Sequence, residues 1–397
     1  MDCAKGTAVA GLYDDLMVDI LSRVPVKDLR LSKCVSRPWR DLIADPLHRK
    51  KLPQTLEGFF HGGAEHDSYG HFTSLSGRGE SAPPVDPSFS FLTAKLPGVE
   101  RMVLLDSCNG LLLFGCTRED KLGYIVCNPA TEELVTVPTS SGSCPPLLPL
   151  LEDSYKKRCA HTYLMFDPVV SSRFHVVQIW ENRSKAEVET VHSYSSETRA
   201  WSDRSSKWER GEEGGEWGLW GAAIIEFTCG RALVNGLLHF VVYHVEKDEN
   251  LIVAVDGEGK ICTAICWPGK LVSAPAFFGQ SQGHLHCISS NVKFQGCIFH
   301  FTQLSVWVLE DYDTQEWILK HNVSCSQLFG SRSGQINFDI VAIHADHNSI
   351  ILAQHRNHKL VSYYMDSKEL HNFGHAYCSL TPYVPYFSES SVLANKH

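Results

Sequence analysis

Two spacings of apolar residues divide this chain. From Leu12 to Pro46 the period is helical: Leu16, Ile20 and Val24 recur every fourth residue, with Met17 and Leu21 one position round, which makes one broad apolar stripe. Asp14 or Asp15 suits the N-cap of this helix, because a short carboxylate accepts from the free N–H groups of the opening turn. Pro25 ends it, having no N–H to donate. A second short helix from about Lys27 carries Leu29, Leu31 and Cys34. A third tolerates Pro38 in its first turn, places Trp39, Leu42 and Ile43 at i, i+3 and i+4, and closes at Pro46. Roughly a dozen large apolar residues thus fall in about 35 positions, more than three short helices hide against one another. The surplus must face a partner or the rest of the chain.

From about Leu56 onward the period shortens to that of strands, in β-branched and aromatic runs bounded by Gly, Asn, Pro and Ser. A unit repeats: apolar strand, turn, apolar strand, tight polar turn, then a strand opening on Trp or Leu. The tight turns are Asn128–Leu134, Tyr194–Trp201, Asp256–Lys260, Tyr312–Trp317 and Met365–Leu370. Their starts lie about 50–65 residues apart, the period of kelch-type propeller blades with loops of uneven length. The paired strands before them are Gly110–Phe114 with Tyr124–Cys127, Leu233–Tyr243 with Leu251–Val255, Cys297–Phe301 with Val306–Leu309, and Ser349–Ala353 with Leu360–Tyr364. Residues 56–105 together with the tail Thr381–Phe387 supply a sixth unit, so that the C-terminus closes a ring against the N-terminal strand and leaves only short edges. The expected fold class is α+β multidomain: a three-helix module over 8–50, then an all-β, kelch-like propeller of about six blades over 55–392. A β-sandwich or two smaller β domains is the competing arrangement, since the double glycine of true kelch repeats is missing.

The order of residues in the helical stretch resembles an F-box. The resemblance rests on Leu12, Asp14-Asp15, Leu16, Ile20-Leu21, Val24-Pro25-Val26, Leu29, Cys34-Val35-Ser36, Trp39-Arg40 and Leu42-Ile43, with Tyr13 standing where that family usually has Pro. It implies docking on a Skp-family adaptor, and through it on a cullin–RING ubiquitin ligase, by Leu12, Leu16, Ile20, Leu21, Val24, Pro25, Leu29, Cys34, Val35, Trp39, Leu42 and Ile43. Asn109–Leu112, Val126–Thr131, Tyr194–Trp201 and Tyr383–Phe387 resemble, less specifically, the associated domain that follows the F-box in many plant proteins, particularly those of grasses. Together these imply a non-catalytic substrate receptor of a Skp–cullin–F-box ligase, with an unknown protein substrate, acting by proximity. The alternatives are a propeller enzyme or sugar-binding propeller with an incidental helical cap, and an adaptor-bound protein without a degradative role.

Charge narrows the partners. The net charge of −9 argues against nucleic acid, and it is uneven: residues 1–51 hold ten Lys/Arg and seven Asp/Glu, so the acidic part is the larger domain. That domain should tolerate basic partners. No apolar run has the length of a membrane span and the N-terminus lacks a signal-peptide core, so a cytoplasmic or nuclear setting is expected, with the 14 cysteines reduced and buried as small hydrophobes.

Candidate chemistry is sparse. The nucleophile-elbow, zincin and phosphate-loop motifs do not occur. His284-x-His286-Cys287, His344/His347 and His355/His358 are loose pairs with no completing ligand set, so no metal or cofactor is expected. If the tight turns join the third and fourth strands, the long connections Pro138–Lys157, Ser202–Gly221, Pro268–Gln282 and Asn322–Gln335 share the opposite face with the charged loops, where scaffolds carry binding. Trp208, Trp217 and Trp220 flank the acidic run Glu209–Glu216 there. They suit a basic or amphipathic peptide, or, for Trp217 and Trp220, the start of a core strand.

Overall fold

In the computed structural model, the described residues are 4–24, 32, 34–45, 48, 52, 55–62, 69–75, 83–118, 121–140, 158–168, 170–202, 223–269, 273–281, 283–295, 298–330, 337–344, 348–376, 380–386, 390 and 392–393. Helix α1 spans Ala4–Leu21 and α2 spans Arg37–Ala44. Asp14 and Asp15 therefore lie inside α1 and do not cap it. The Ala-bearing run before them continues the helix in spite of Gly6 and Gly11. The Ser36 hydroxyl caps α2 by accepting from the Trp39 N–H at 3.3 Å, and Pro38 sits in its first turn as expected. Leu21, Ile43 and Leu52 form a small core, flanked by Met17, Val24, Trp39 and Leu42. Pro25 and Leu29 lie outside the described residues.

The rest of the chain is a six-bladed propeller. The first blade is β3 (Val99–Cys108), β4 (Leu111–Arg118), β5 (Lys121–Asn128) and β6 (Glu133–Pro138). The second is β7 (Arg158–Phe166), β8 (Phe174–Asn182), β9 (Glu187–Ser195) and β10 (Ala200–Trp201). The third has its first strand split into β11 (Ala223–Ile225) and β12 (Arg231–Val234) around a turn of 3-10 helix at Phe227–Cys229, followed by β13 (Leu237–His244), β14 (Glu249–Val255) and β15 (Ile261–Cys266). The fourth comprises β16 (Ser273–Ser281), β17 (His284–Gln295), β18 (Ile298–Asp311) and β19 (Glu316–Ser324), and the fifth β20 (Phe338–Ile343), β21 (Ser349–Gln354), β22 (Lys359–Tyr364) and β23 (Glu369–His375). The sixth joins β1 (Gly58–His61) and β2 (His71–Ser74) to β24 (Thr381–Tyr383), in the order β2-β1-β24. Phe59 faces Pro382 and Phe60 faces Thr381 across that closing pair.

Local chemistry explains the blades. All five tight turns join third to fourth strands, and three are shaped by a polar side chain at their opening. Asn128 accepts from the Ala130 N–H at 3.1 Å, Asp311 from those of Asp313 and Thr314 at 2.9 Å, and Asp256 from those of Glu258 and Lys260 at 2.9 Å. In four of them the residue before the last strand is left-handed: Glu132, Arg199, Gln315 and Lys368. Asn109-Gly110 and Asn235-Gly236 have positive φ at both positions, the geometry of two-residue hairpins whose twist matches the strands.

Three expected strand boundaries differ. Leu233–Tyr243 is a hairpin turned by Asn235-Gly236, not one strand. Ile298–Leu309 falls in β18, a single long strand and not two, and Cys297 lies outside the described residues. Pro268–Gln282, expected as a loop, contains β16, the first strand of its blade. The bulge between Pro275 and Phe277 lets Pro275 sit there, on a strand whose other edge needs no ladder partner.

First strands stand side by side around the axis: β3 beside β7, β12 beside β16, β16 beside β20 and β24 beside β3. At the centre Asp106 of β3 accepts from the Leu164 N–H of β7 at 2.7 Å and pairs with Arg231 of β12, which also donates to the Ser107 carbonyl at 2.8 Å. Three blades are thereby tied by one buried carboxylate. The tail beyond β24 crosses the tight-turn face: the Asn128 amide donates to the Tyr386 carbonyl at 2.8 Å, the Ser390 N–H donates to the Glu133 carboxylate at 2.9 Å, and Leu393 is buried.

Candidate functional site

Two surfaces carry unexplained chemistry. The first is on the helical module. Tyr13, Leu16 and Ile20 lie at i, i+3 and i+7 of α1, hence on one face, and are 63, 59 and 58% exposed; Val35 is 65% exposed. The opposite face of α1 supplies Met17 and Leu21 to the small core described above. Of the twelve residues that the F-box resemblance points to, Leu16, Ile20, Cys34 and Val35 are open to solvent, while Leu21 and Ile43 are buried and Val24, Trp39 and Leu42 pack against them. Pro25, Leu29 and the Leu12 side chain lie outside the described residues. The buried members of the set fix the module's shape; the open ones leave apolar side chains in solvent.

The second surface lies on the propeller face opposite the tight turns, where second-to-third strand turns and blade-to-blade connections meet. Cys159 and His161 alternate on β7 and so point the same way, and Cys159 is the cross-strand partner of Glu181 on β8. One oxygen of the Glu181 carboxylate lies 3.0 Å from Cys159 Sγ, 3.0 Å from His161 Nε2 and 2.6 Å from Arg183 Nε. The other accepts from the Ile225 N–H of β11 at 2.9 Å, bridging the second and third blades. The Phe227 ring covers the group, 5.3 Å from the His161 ring and 5.1 Å from the Arg183 guanidinium. Burial pushes the Glu181 carboxyl up, but hydrogen bonds from His161, Cys159 and Ile225 outweigh it and bring it down to about 2. Burial and the neighbouring carboxylate push the Cys159 thiol up to about 12, so it is no nucleophile as it stands.

Among the described residues this is the one group of three His, Cys, Asp or Glu whose ligand atoms all lie within 4.8 Å of one another. The histidine pairs visible in the sequence go elsewhere. His286 Nδ1 donates to the His284 carbonyl at 3.1 Å, and His355 bonds Asp339 at 2.8 Å, while His347 is outside the described residues. Trp208, Trp217 and Trp220 are outside them too. Cys159-x-His161 was present in the sequence as an alternating pair, but its partner Glu181 becomes apparent only from the β7–β8 register.

Known proteins share both parts. The family described as "F-box associated beta propeller domain" matches residues 64–372, and the F-box domain matches residues 10–51. The chain belongs to the F-box-associated β-propeller family. The Arabidopsis thaliana F-box protein At1g52495 is 24% identical over 76% of this chain and 66% of its own length, and the putative F-box protein At5g42430 is 24% identical over 76% and 70%. F-box protein At5g07610, also from Arabidopsis thaliana, is 29% identical over 33% of this chain and 32% of its own. This chain thus spans about two thirds of the first two relatives and less of the third. Among solved structures, an exo-β-1,3-galactanase from Clostridium thermocellum matches with a TM-score of 0.36 and 13% identity, over 73% of this chain and 65% of that one. A chain of the mitotic checkpoint complex gives a TM-score of 0.34 and 10% identity, over 76% and 87%. Scores this low carry no argument about activity.

Proposed function

We propose that this chain is the non-catalytic substrate receptor of a Skp–cullin–F-box ubiquitin ligase, its helical module over 8–50 docking on a Skp-family adaptor and its propeller over 55–392 capturing a protein substrate. The observation that carries the docking half is the α1 face of Tyr13, Leu16 and Ile20, with exposed Val35 besides, left in water by a module whose core is already filled by Leu21, Ile43 and Leu52. A soluble surface holds so dense an apolar row where another protein covers it. The F-box match over 10–51 and the relatives' names support the same partner class. Substrate capture is assigned to the loop-bearing face of the propeller, with Trp208, Trp217 and Trp220 as its aromatic contributors. No helix among the described residues is long and apolar enough to cross a membrane, and the reading places the protein in cytoplasm or nucleus.

Copurification of the full chain with a Skp-family adaptor tests this. Leu16→Asp and Ile20→Asp should each weaken binding by about 30-fold or more, as loss of an interface anchor worth about 2 kcal/mol requires. Their helical circular dichroism should stay that of the parent. Binding unchanged in both variants, or no adaptor bound by the parent, refutes the docking half. Captured partners that live equally long with and without proteasome inhibition refute the degradative role alone.

A further inference from the structure

We propose that Cys159, His161 and Glu181 form a binding site for one transition-metal ion of the zinc class, on the loop-bearing face of the propeller and separate from the adaptor surface. Three features converge on it. Strand alternation and cross-strand pairing put a thiol, an imidazole and a carboxylate on one side of a single hairpin, β7–β8, so the donors are placed by rigid ladders. Their separations are 3.9 Å for Sγ to Nε2 and 3.0 Å for each of these to the carboxylate oxygen. A tetrahedral ion with bonds of about 2.0–2.3 Å holds such donors about 3.3–3.6 Å apart, so seating it needs shifts of only a few tenths of an ångström. The third feature is crowding: one Glu181 oxygen faces Cys159, His161 and Arg183 together, three donors where an oxygen has two lone pairs. A cation at that apex replaces two of them.

The donor set selects the metal. Sulfur and imidazole favour zinc and its neighbours, and a single carboxylate is too little for calcium or magnesium. On binding, the Cys159 thiol loses its proton to solvent and a thiolate–metal bond forms. The imidazole keeps one proton, moved to Nδ1, so that Nε2 offers its lone pair. The ion's two positive charges are then balanced by Cys159 and Glu181, and one proton is released per ion. Ile225 N–H holds the far oxygen of the carboxylate and Arg183 stays on the near one, the role outer partners play at protein metal sites. Three protein donors leave the fourth position to water or to a side chain from outside.

The test is cobalt(II) titration of the metal-stripped full chain, followed by competition with zinc. One equivalent should produce a thiolate-to-cobalt charge-transfer band, which zinc abolishes, and one proton should be released per ion. Cys159→Ser should remove the band and weaken zinc binding at least 100-fold, with the thermal unfolding of the metal-free chain little changed. Because buried Glu181 also bridges two blades, Glu181→Gln is read only where its circular dichroism matches the parent. The exposed thiols among the described residues are controlled by the triple variant Cys34→Ser, Cys262→Ser, Cys266→Ser, which should keep the band. Absence of a band at one equivalent overturns the proposal, as does a band that survives Cys159→Ser or disappears in the triple variant.

Discussion

Gly110 offers a sharp measure of how much the ring depends on its C-terminal tail. It has φ +92°, and a Cβ there would stand 2.6 Å from the Tyr386 nitrogen and 2.9 Å from its Cα. Gly236 holds the equivalent turn position in the third blade, at φ +73°, with nothing within 4 Å. Alanine at either site incurs the left-handed backbone cost of roughly 1–2 kcal/mol. Only at Gly110 must the tail also move. That loses the Asn128–Tyr386 hydrogen bond, worth about 1 kcal/mol net, and the edge-on contact of Tyr386 with Phe166 at 5.3 Å, worth about 0.5–1.5 kcal/mol. Gly110→Ala should therefore destabilise the propeller by about 3–4 kcal/mol and Gly236→Ala by about 1–2 kcal/mol. Urea unfolding of the full chain followed by tryptophan fluorescence gives both values, and limited proteolysis should cut the tail faster in Gly110→Ala alone. Equal destabilisation of the two, with equal proteolysis, refutes the idea that the tail clasps the ring.

Other outcomes follow from the same geometry. Leu21→Ala should cost the helical module about 2–5 kcal/mol and abolish its helix signal together with the proposed adaptor binding, whereas Leu16→Asp should weaken that binding and leave the helix signal unchanged. Arg231→Met strands the buried Asp106 carboxylate and should cost about 3–5 kcal/mol in urea unfolding, much of it recovered on adding Asp106→Asn, which keeps an acceptor for the Leu164 N–H. His239 is fully buried, its Nδ1 donating to the Leu237 carbonyl and its Nε2 accepting from Tyr312, and burial holds its pKa at about 4. The unfolded chain takes up that proton near the usual 6.5, so stability is complete above pH 6.5 and falls as pH drops toward 4. The loss between pH 6.5 and 5 should be about 2 kcal/mol, visible as a lower urea midpoint that His239→Gln flattens.

What the sequence disclosed was local chemistry at short range. The tight turns were legible because Asn128, Asp256 and Asp311 carry their own hydrogen-bond instructions, and ring closure followed from strand residues at both ends of the repeat. The open apolar row of α1 was half legible: periodicity marked the stripe but did not tell Leu16 and Ile20, outside, from Leu21, inside. The start of α1 was misjudged because Asp14 and Asp15 have the chemistry of N-caps, whereas the helix begins a full ten residues earlier, at Ala4. The strand β16 hid behind its proline and glycine. Glu181 was beyond reach, since its meeting with Cys159 and His161 depends on which residue of β8 lies opposite which residue of β7.

Because β24 follows every other described strand of the ring, the ribosome releases those strands before the sixth blade is complete. Until then the nascent chain carries β1 with one backbone edge bare, and Phe60 without the Tyr383 ring that later packs 5.0 Å from it. A stop codon between Ser74 and Thr381 makes that transient condition permanent. The helical module, whose core closes within residues 17–52, would still be whole in such a product. Premature termination in this architecture therefore yields a chain with an intact head and an unsealed, sticky body, suited to quality-control disposal and not to recognition.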